Sequence, residues 1–138
     1  MTPAQITLVE DTMTSIDVDQ LAGDFYRRAF ATDPTLMEMF TSDPDVQRTR
    51  FGAELAEIVR SIRTLDSFGP SVRSLGAMHR EYGVRAAHYR LMGEVLLDSL
   101  ASALGESWTA ETAEAWKLAY NLTAETMMLG ALEDPATD

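Results

Sequence analysis

His79-Arg80-Glu81-Tyr82-Gly83-Val84-Arg85-Ala86-Ala87-His88-Tyr89 is where the reading of this chain turns. Upstream of it, Val72, Leu75 and His79 share one face of a short helix. Tyr82-Gly83-Val84 then makes a turn. Downstream, Ala87, Leu91, Val95, Leu96, Leu100 and Ala103 form a broad apolar stripe along a second, longer helix. Two amphipathic helices joined by a tight turn, with an imidazole on the inward side of the first, predict helix packed on helix rather than any sheet.

The same pattern extends in both directions. At the start, Thr2-Pro3-Ala4-Gln5 has the hydroxyl, proline and glutamine of a capping box, followed by Ile6, Val9, Met13 and Ile16 on one face. Asp17-Val18-Asp19-Gln20 resets the chain into a helix carrying Leu21, Phe25, Tyr26, Ala29 and Phe30. Asp33-Pro34 opens a short segment ending in Leu36, Met39 and Phe40, and Asp43-Pro44 opens a long one. In that helix Gln47, Phe51, Leu55, Ile58 and Ile62 make one continuous face, apolar except at its first member. Ser67-Phe68-Gly69-Pro70 reads as a break. Gly105 ends the helix after the turn, and Thr109 caps a last one lined by Ala113, Trp116, Tyr120, Ala124, Met127 and Met128. Six or seven helical segments and no strand predict a single all-α domain over residues 1–138, with an acidic tail from about residue 133.

Composition narrows the chemistry. The chain has 138 residues, with 11 Lys+Arg against 22 Asp+Glu and a net charge of -11. Such a surface repels phosphate backbones and anionic head groups, so neither nucleic acid nor a membrane is an expected partner. With no cysteine there is no disulfide, thiolate metal site or cysteine nucleophile. No stretch is long and apolar enough to span a bilayer, and the N-terminus lacks the basic and apolar regions of a signal peptide, so a cytoplasmic protein is expected. Oligomeric state is left open by these features.

Few residues are candidates for chemistry. His79 could ligate an iron through one ring nitrogen while the other donates to a carbonyl, or it could be a helix-end histidine satisfied by hydrogen bonds. Gln47 heads an apolar face, where its amide could meet a bound oxygen ligand or mark the helix leaving the core. Tyr26 could turn its hydroxyl inward or pack at the boundary beside Phe25. Tyr89 could be structural or orient His79, whereas His88 is expected at the surface or in interhelical packing. Arg48 and Arg50 could pair with a cofactor carboxylate or reach solvent. Trp116 and Tyr120 read as core. Glu54 and Glu57 are placed away from the Phe51–Leu55–Ile58 face, and no carboxylate pair stands out for acid catalysis. Neither histidine follows a glutamate by three positions, which excludes a di-iron bundle.

Taken together, Phe25-Tyr26-x-x-x-Phe30, Asp33-Pro34-x-Leu36-x-x-x-Phe40, His79-x-x-Tyr82-Gly83-Val84-x-x-x-His88-Tyr89 with Gly93 and Leu96-Leu97, and Leu104-Gly105, Trp116 and Ala119-Tyr120 resemble the globin domain of the flavohaemoglobins and its single-domain relatives. The resemblance implies a globin fold, a three-over-three helical sandwich around a pocket for haem b. It implies His79 as the proximal iron ligand, with Tyr26 and Gln47 as the distal residues that hydrogen-bond bound oxygen. Phe40 then wedges against the porphyrin, Phe51 stands where relatives have leucine, Tyr89 is the proximal-side tyrosine, and Val84 follows in the same turn against the cofactor. Two departures follow from the same match. The glutamate that completes a proximal relay in relatives falls on Ala131, with Glu133 two residues beyond. No flavin or nicotinamide domain follows within these residues, so nitric oxide dioxygenation would draw electrons from a separate reductase. The function implied is reversible binding of O2, CO and NO, with NO dioxygenation as its extension; a haem-based gas sensor is the alternative, and a haem-free helical interaction protein a third class.

Overall fold

A computed structural model describes residues 1–132, apart from the Leu65 side chain; the acidic tail from about residue 133, Glu133 included, lies outside the described residues. Six α-helices follow in order: α1 Pro3–Ser15, α2 Val18–Thr32, α3 Pro44–Ser61, α4 Leu65–Glu81, α5 Ala86–Leu104 and α6 Ala110–Ala131. Short 3₁₀ turns, Pro34–Met39 and Gly105–Ser107, link α2 to α3 and α5 to α6. There is no strand among the described residues.

Local chemistry sets most of the helix starts. The Thr2 hydroxyl accepts from the Gln5 amide at 3.2 Å while the Gln5 side chain accepts from the Thr2 amide at 2.8 Å, a complete capping box. Asp17, Asp43 and Thr109 each accept from backbone N–H groups of the first turn that would otherwise lack a partner.

The break expected at Ser67–Pro70 is not there. The chain turns earlier, after Ile62, and Pro70 lies inside a 17-residue α4. Its ring removes one backbone donor near the helix start, and the opposing gain is tertiary: Phe68 and Val72, one turn apart, are each only 2% exposed. The apolar stripes also shift in detail. On α5, Val95, Leu96 and Leu100 are buried with Ser99, whose hydroxyl donates to the Val95 carbonyl at 2.9 Å, while Ala87 and Ala103 are exposed. On α6 the tightly buried line runs through Ala115, Trp116, Ala119 and Met127.

Helices α1, α3 and α4 make one layer and α2, α5 and α6 the other, with the principal cross-layer contacts at α4 on α6, α2 on α3 and α1 on α6. Glycine permits the α4–α6 crossing. A Cβ on Gly76 would stand 1.9 Å from the Met127 carbonyl oxygen, and one on Gly130 1.9 Å from that of Arg73. The backbones therefore touch there, which presses the C-terminal half of α4 onto α6. Trp116 ties α6 to α1 by donating its indole N–H to the Thr12 hydroxyl at 3.1 Å, both groups being buried. No helix among the described residues is long and apolar enough to cross a membrane.

Candidate functional site

A cavity of ≈ 480 Å³ opens between α3 and α4, floored by α6 and flanked by α2 and α5. That volume lies within the roughly 300–1,000 Å³ usual for cofactor and ligand pockets. Tyr26, Phe40, Gln47, Phe51, His79, Val84 and Tyr89, the residues singled out from sequence, all line it.

His79 sits in the last turn of α4. Its Nδ1 lies 2.8 Å from the Leu75 carbonyl oxygen, which can only accept, so this nitrogen carries the ring proton and Nε2 keeps its lone pair. The backbone after it is equally fixed. The His79 carbonyl accepts from the amides of Tyr82 and Val84, both at 3.1 Å, and Gly83 between them has φ 90°, a conformation that suits glycine. This turn brings Val84 to the cavity and sets the Tyr82 ring edgewise to the imidazole, centroids 6.2 Å apart.

The opposite wall is aromatic. Phe51 stacks on Phe25 with centroids 4.5 Å apart, and Tyr26 meets Phe40 and Phe51 edge-on at 5.3 and 5.6 Å. Gln47 Nε2 donates to the Tyr26 hydroxyl at 3.2 Å. Burial pushes the Tyr26 phenol above its ordinary value, with the Gln47 hydrogen bond opposing. Tyr26 is therefore a protonated phenol whose own hydrogen is not committed to any acceptor among the described residues.

On the α4 side no relay is formed among the described residues. The Nδ1 partner is Leu75, not Tyr89; the Tyr89 carbonyl accepts from the Tyr120 hydroxyl at 2.5 Å, and burial raises both phenols. The Ala131 carbonyl accepts from Arg80 Nη1 at 2.7 Å.

Two placements, Glu54 and His88, differ from the sequence expectation. Glu54 is not away from the functional face: it lines the cavity, half-buried, and burial pushes its carboxyl above the ordinary range, with the Arg50 charge opposing. Helical geometry accounts for this, since Gln47, Phe51, Glu54 and Ile58 step by four, three and four along one stripe, while Leu55 turns with Gly52 and Val59 into the core. Glu57, by contrast, is exposed and paired with Arg60 at 2.6 Å. His88 is at the cavity rather than the surface, half-buried, with Nδ1 accepting from the Arg85 amide at 2.8 Å. Arg48 is held outside by Asp19 and Asp45 at 3.0 and 3.1 Å, whereas Arg50 is an exposed member of the cavity lining. The signal for Glu54 was present as a helical repeat; His88 offered only its position beside Tyr89.

Comparison with known proteins agrees with this architecture. Residues 23–127 match the family model described as Globin. The chain is 28% identical over 110 residues to the flavohemoprotein of Bacillus subtilis (strain 168), a match covering 78% of this chain and 28% of that relative. It therefore spans little more than a quarter of that relative's length. A bacterial globin from Campylobacter jejuni superposes with TM-score 0.83 at 22% identity, over 94% of this chain and 96% of that one. An engineered carbene transferase from Rhodothermus marinus superposes with TM-score 0.85 at 24% identity, over 95% and 93%.

Proposed function

The chain belongs to the globin family, whose fold encloses a haem pocket, and from that premise we propose that it binds b-type haem non-covalently between α3 and α4 and takes up O2, CO and NO reversibly. The observation that carries the reading is the cavity itself: mostly apolar walls, one imidazole with Nδ1 committed to a carbonyl, and a phenol–amide pair on the other wall. That donor set fits a porphyrin iron. Bound haem would supply the metal coordination site for a diatomic gas.

In this reading His79 would hold the iron through Nε2, with the Leu75 carbonyl fixing the ring and its tautomer. Phe40, Phe51, Val84 and Tyr89, which line the cavity, would pack against the porphyrin and exclude water, and Arg50 would meet a cofactor carboxylate. Tyr26 holds the proton offered to a ligand that becomes electron-rich on binding, and Gln47, donating into the same hydroxyl oxygen, polarises that O–H and strengthens it as a donor. A neutral acceptor on Nδ1 gives the imidazole less anionic character than a carboxylate would. This favours reversible ligand binding over strongly electron-donating, peroxidase-like chemistry.

Nitric oxide dioxygenation is the enzymatic extension: nitric oxide, dioxygen and one electron from a separate reductase give nitrate. The first test is an optical spectrum of haem-supplemented protein in ferric, dithionite-reduced and carbon-monoxide forms. A Soret band that shifts at each step is expected, and His79→Ala should abolish the coordinated spectrum. No saturable haem uptake would overturn the proposal. For turnover, the oxygenated protein should consume NO at near-diffusional rate and leave nitrate.

A further inference from the structure

Among the described residues, Glu54 is the one acidic side chain in the cavity lining. It forms no hydrogen bond or ion pair among the described residues, and Arg50, one turn before it, stays exposed and does not close on it.

 The titratable groups that face the same cavity are Tyr26 from α2, Arg50 on its own helix, His79 from α4 and Tyr82 just after it, His88 and Tyr89 from α5, and Tyr120 from α6. Of these, Arg50 carries the charge that opposes the burial of Glu54, and none forms an ion pair with it among the described residues.

A half-buried carboxylate in an apolar cavity is costly to keep. Packing does not call for it, because Gly52, Leu55 and Val59 already seat α3 in the core. We propose that Glu54 is a specificity-determining residue of the cavity, whose carboxylate, on the same helical stripe as Gln47 and Phe51, keeps small anions out and speeds their departure. The site then accepts neutral diatomic gases and discriminates against azide, nitrite or nitrate. Like charges in a poorly solvated space repel far more strongly than in water. For the NO reaction the two gaseous substrates are neutral and the product is an anion, so the same residue separates what enters from what leaves. This inference rests on the haem reading above.

The test uses haem-loaded protein at neutral pH as wild type, Glu54→Gln and Glu54→Ala. Azide is titrated against the ferric form and carbon monoxide against the ferrous form, both followed optically. Both variants should bind azide about tenfold more tightly, the effect of removing roughly one pK unit of like-charge repulsion, with carbon monoxide affinity within about twofold of wild type. Unchanged azide affinity, a gain in only one variant, or a gain shared equally by carbon monoxide would overturn the proposal. Failure of all three proteins to develop a Soret band would instead overturn the haem reading, and this inference with it.

Discussion

Tyr26 and Gln47 form a donor pair assembled from two helices. The Gln47 amide donates to the Tyr26 oxygen at 3.2 Å, so removing the phenol removes both the donor and the group that Gln47 holds. Tyr26→Phe should accelerate oxygen release roughly tenfold or more, because a hydrogen bond to a charged acceptor contributes about 1.5–3 kcal/mol. Stopped-flow displacement of oxygen by carbon monoxide measures this. Since burial raises the Tyr26 phenol above its ordinary value, the proton is retained throughout the neutral range, and the oxygen release rate should not change with pH there. Residues of this kind were legible through family resemblance, which attached expectations to Tyr26, Gln47 and His79. Glu54 was not, because a helical face can step by three or by four, and the series through Leu55 passes beside the one through Glu54.

At the scale of elements, helix starts were the most legible feature, since Thr2, Asp17, Asp43 and Thr109 cap their helices with their own side chains. The start of α4 was not. Ser67-Phe68-Gly69-Pro70 carries local turn signals, but the burial of Phe68 and Val72 is a tertiary fact that outweighs them. The α4–α6 crossing was equally hidden, because a glycine in a helical stretch does not announce which backbone will approach it. Gly76→Ala places a methyl group against the Met127 carbonyl oxygen, where a Cβ would stand at 1.9 Å. The helices must separate to admit it, at a cost of about 1–3 kcal/mol. Urea unfolding should show a lower midpoint with an unchanged m-value.

Across the whole molecule, the all-α class followed from the amphipathic segments, the layer arrangement from the family resemblance, and the net charge of -11 from composition. The distribution of charge did not. Arg27, Arg28, Arg48, Arg60 and Arg63 are each paired with carboxylates, whereas Arg50 belongs to the cavity lining without such a partner among the described residues. The cavity is likewise a property of the assembled layers, and only their packing brings His88 and Glu54 to it.

Trp116 joins these levels. It lines the cavity, is 2% exposed, and is anchored through its N–H to Thr12 on α1. The indole is thus a fixed chromophore in the wall of the space proposed for haem. Light absorbed there would pass to a porphyrin by energy transfer, so emission from this side chain should fall as the cavity fills, and Trp116→Phe should remove that part of the quenching. The molecule carries its own lamp, and its dimming counts occupied sites.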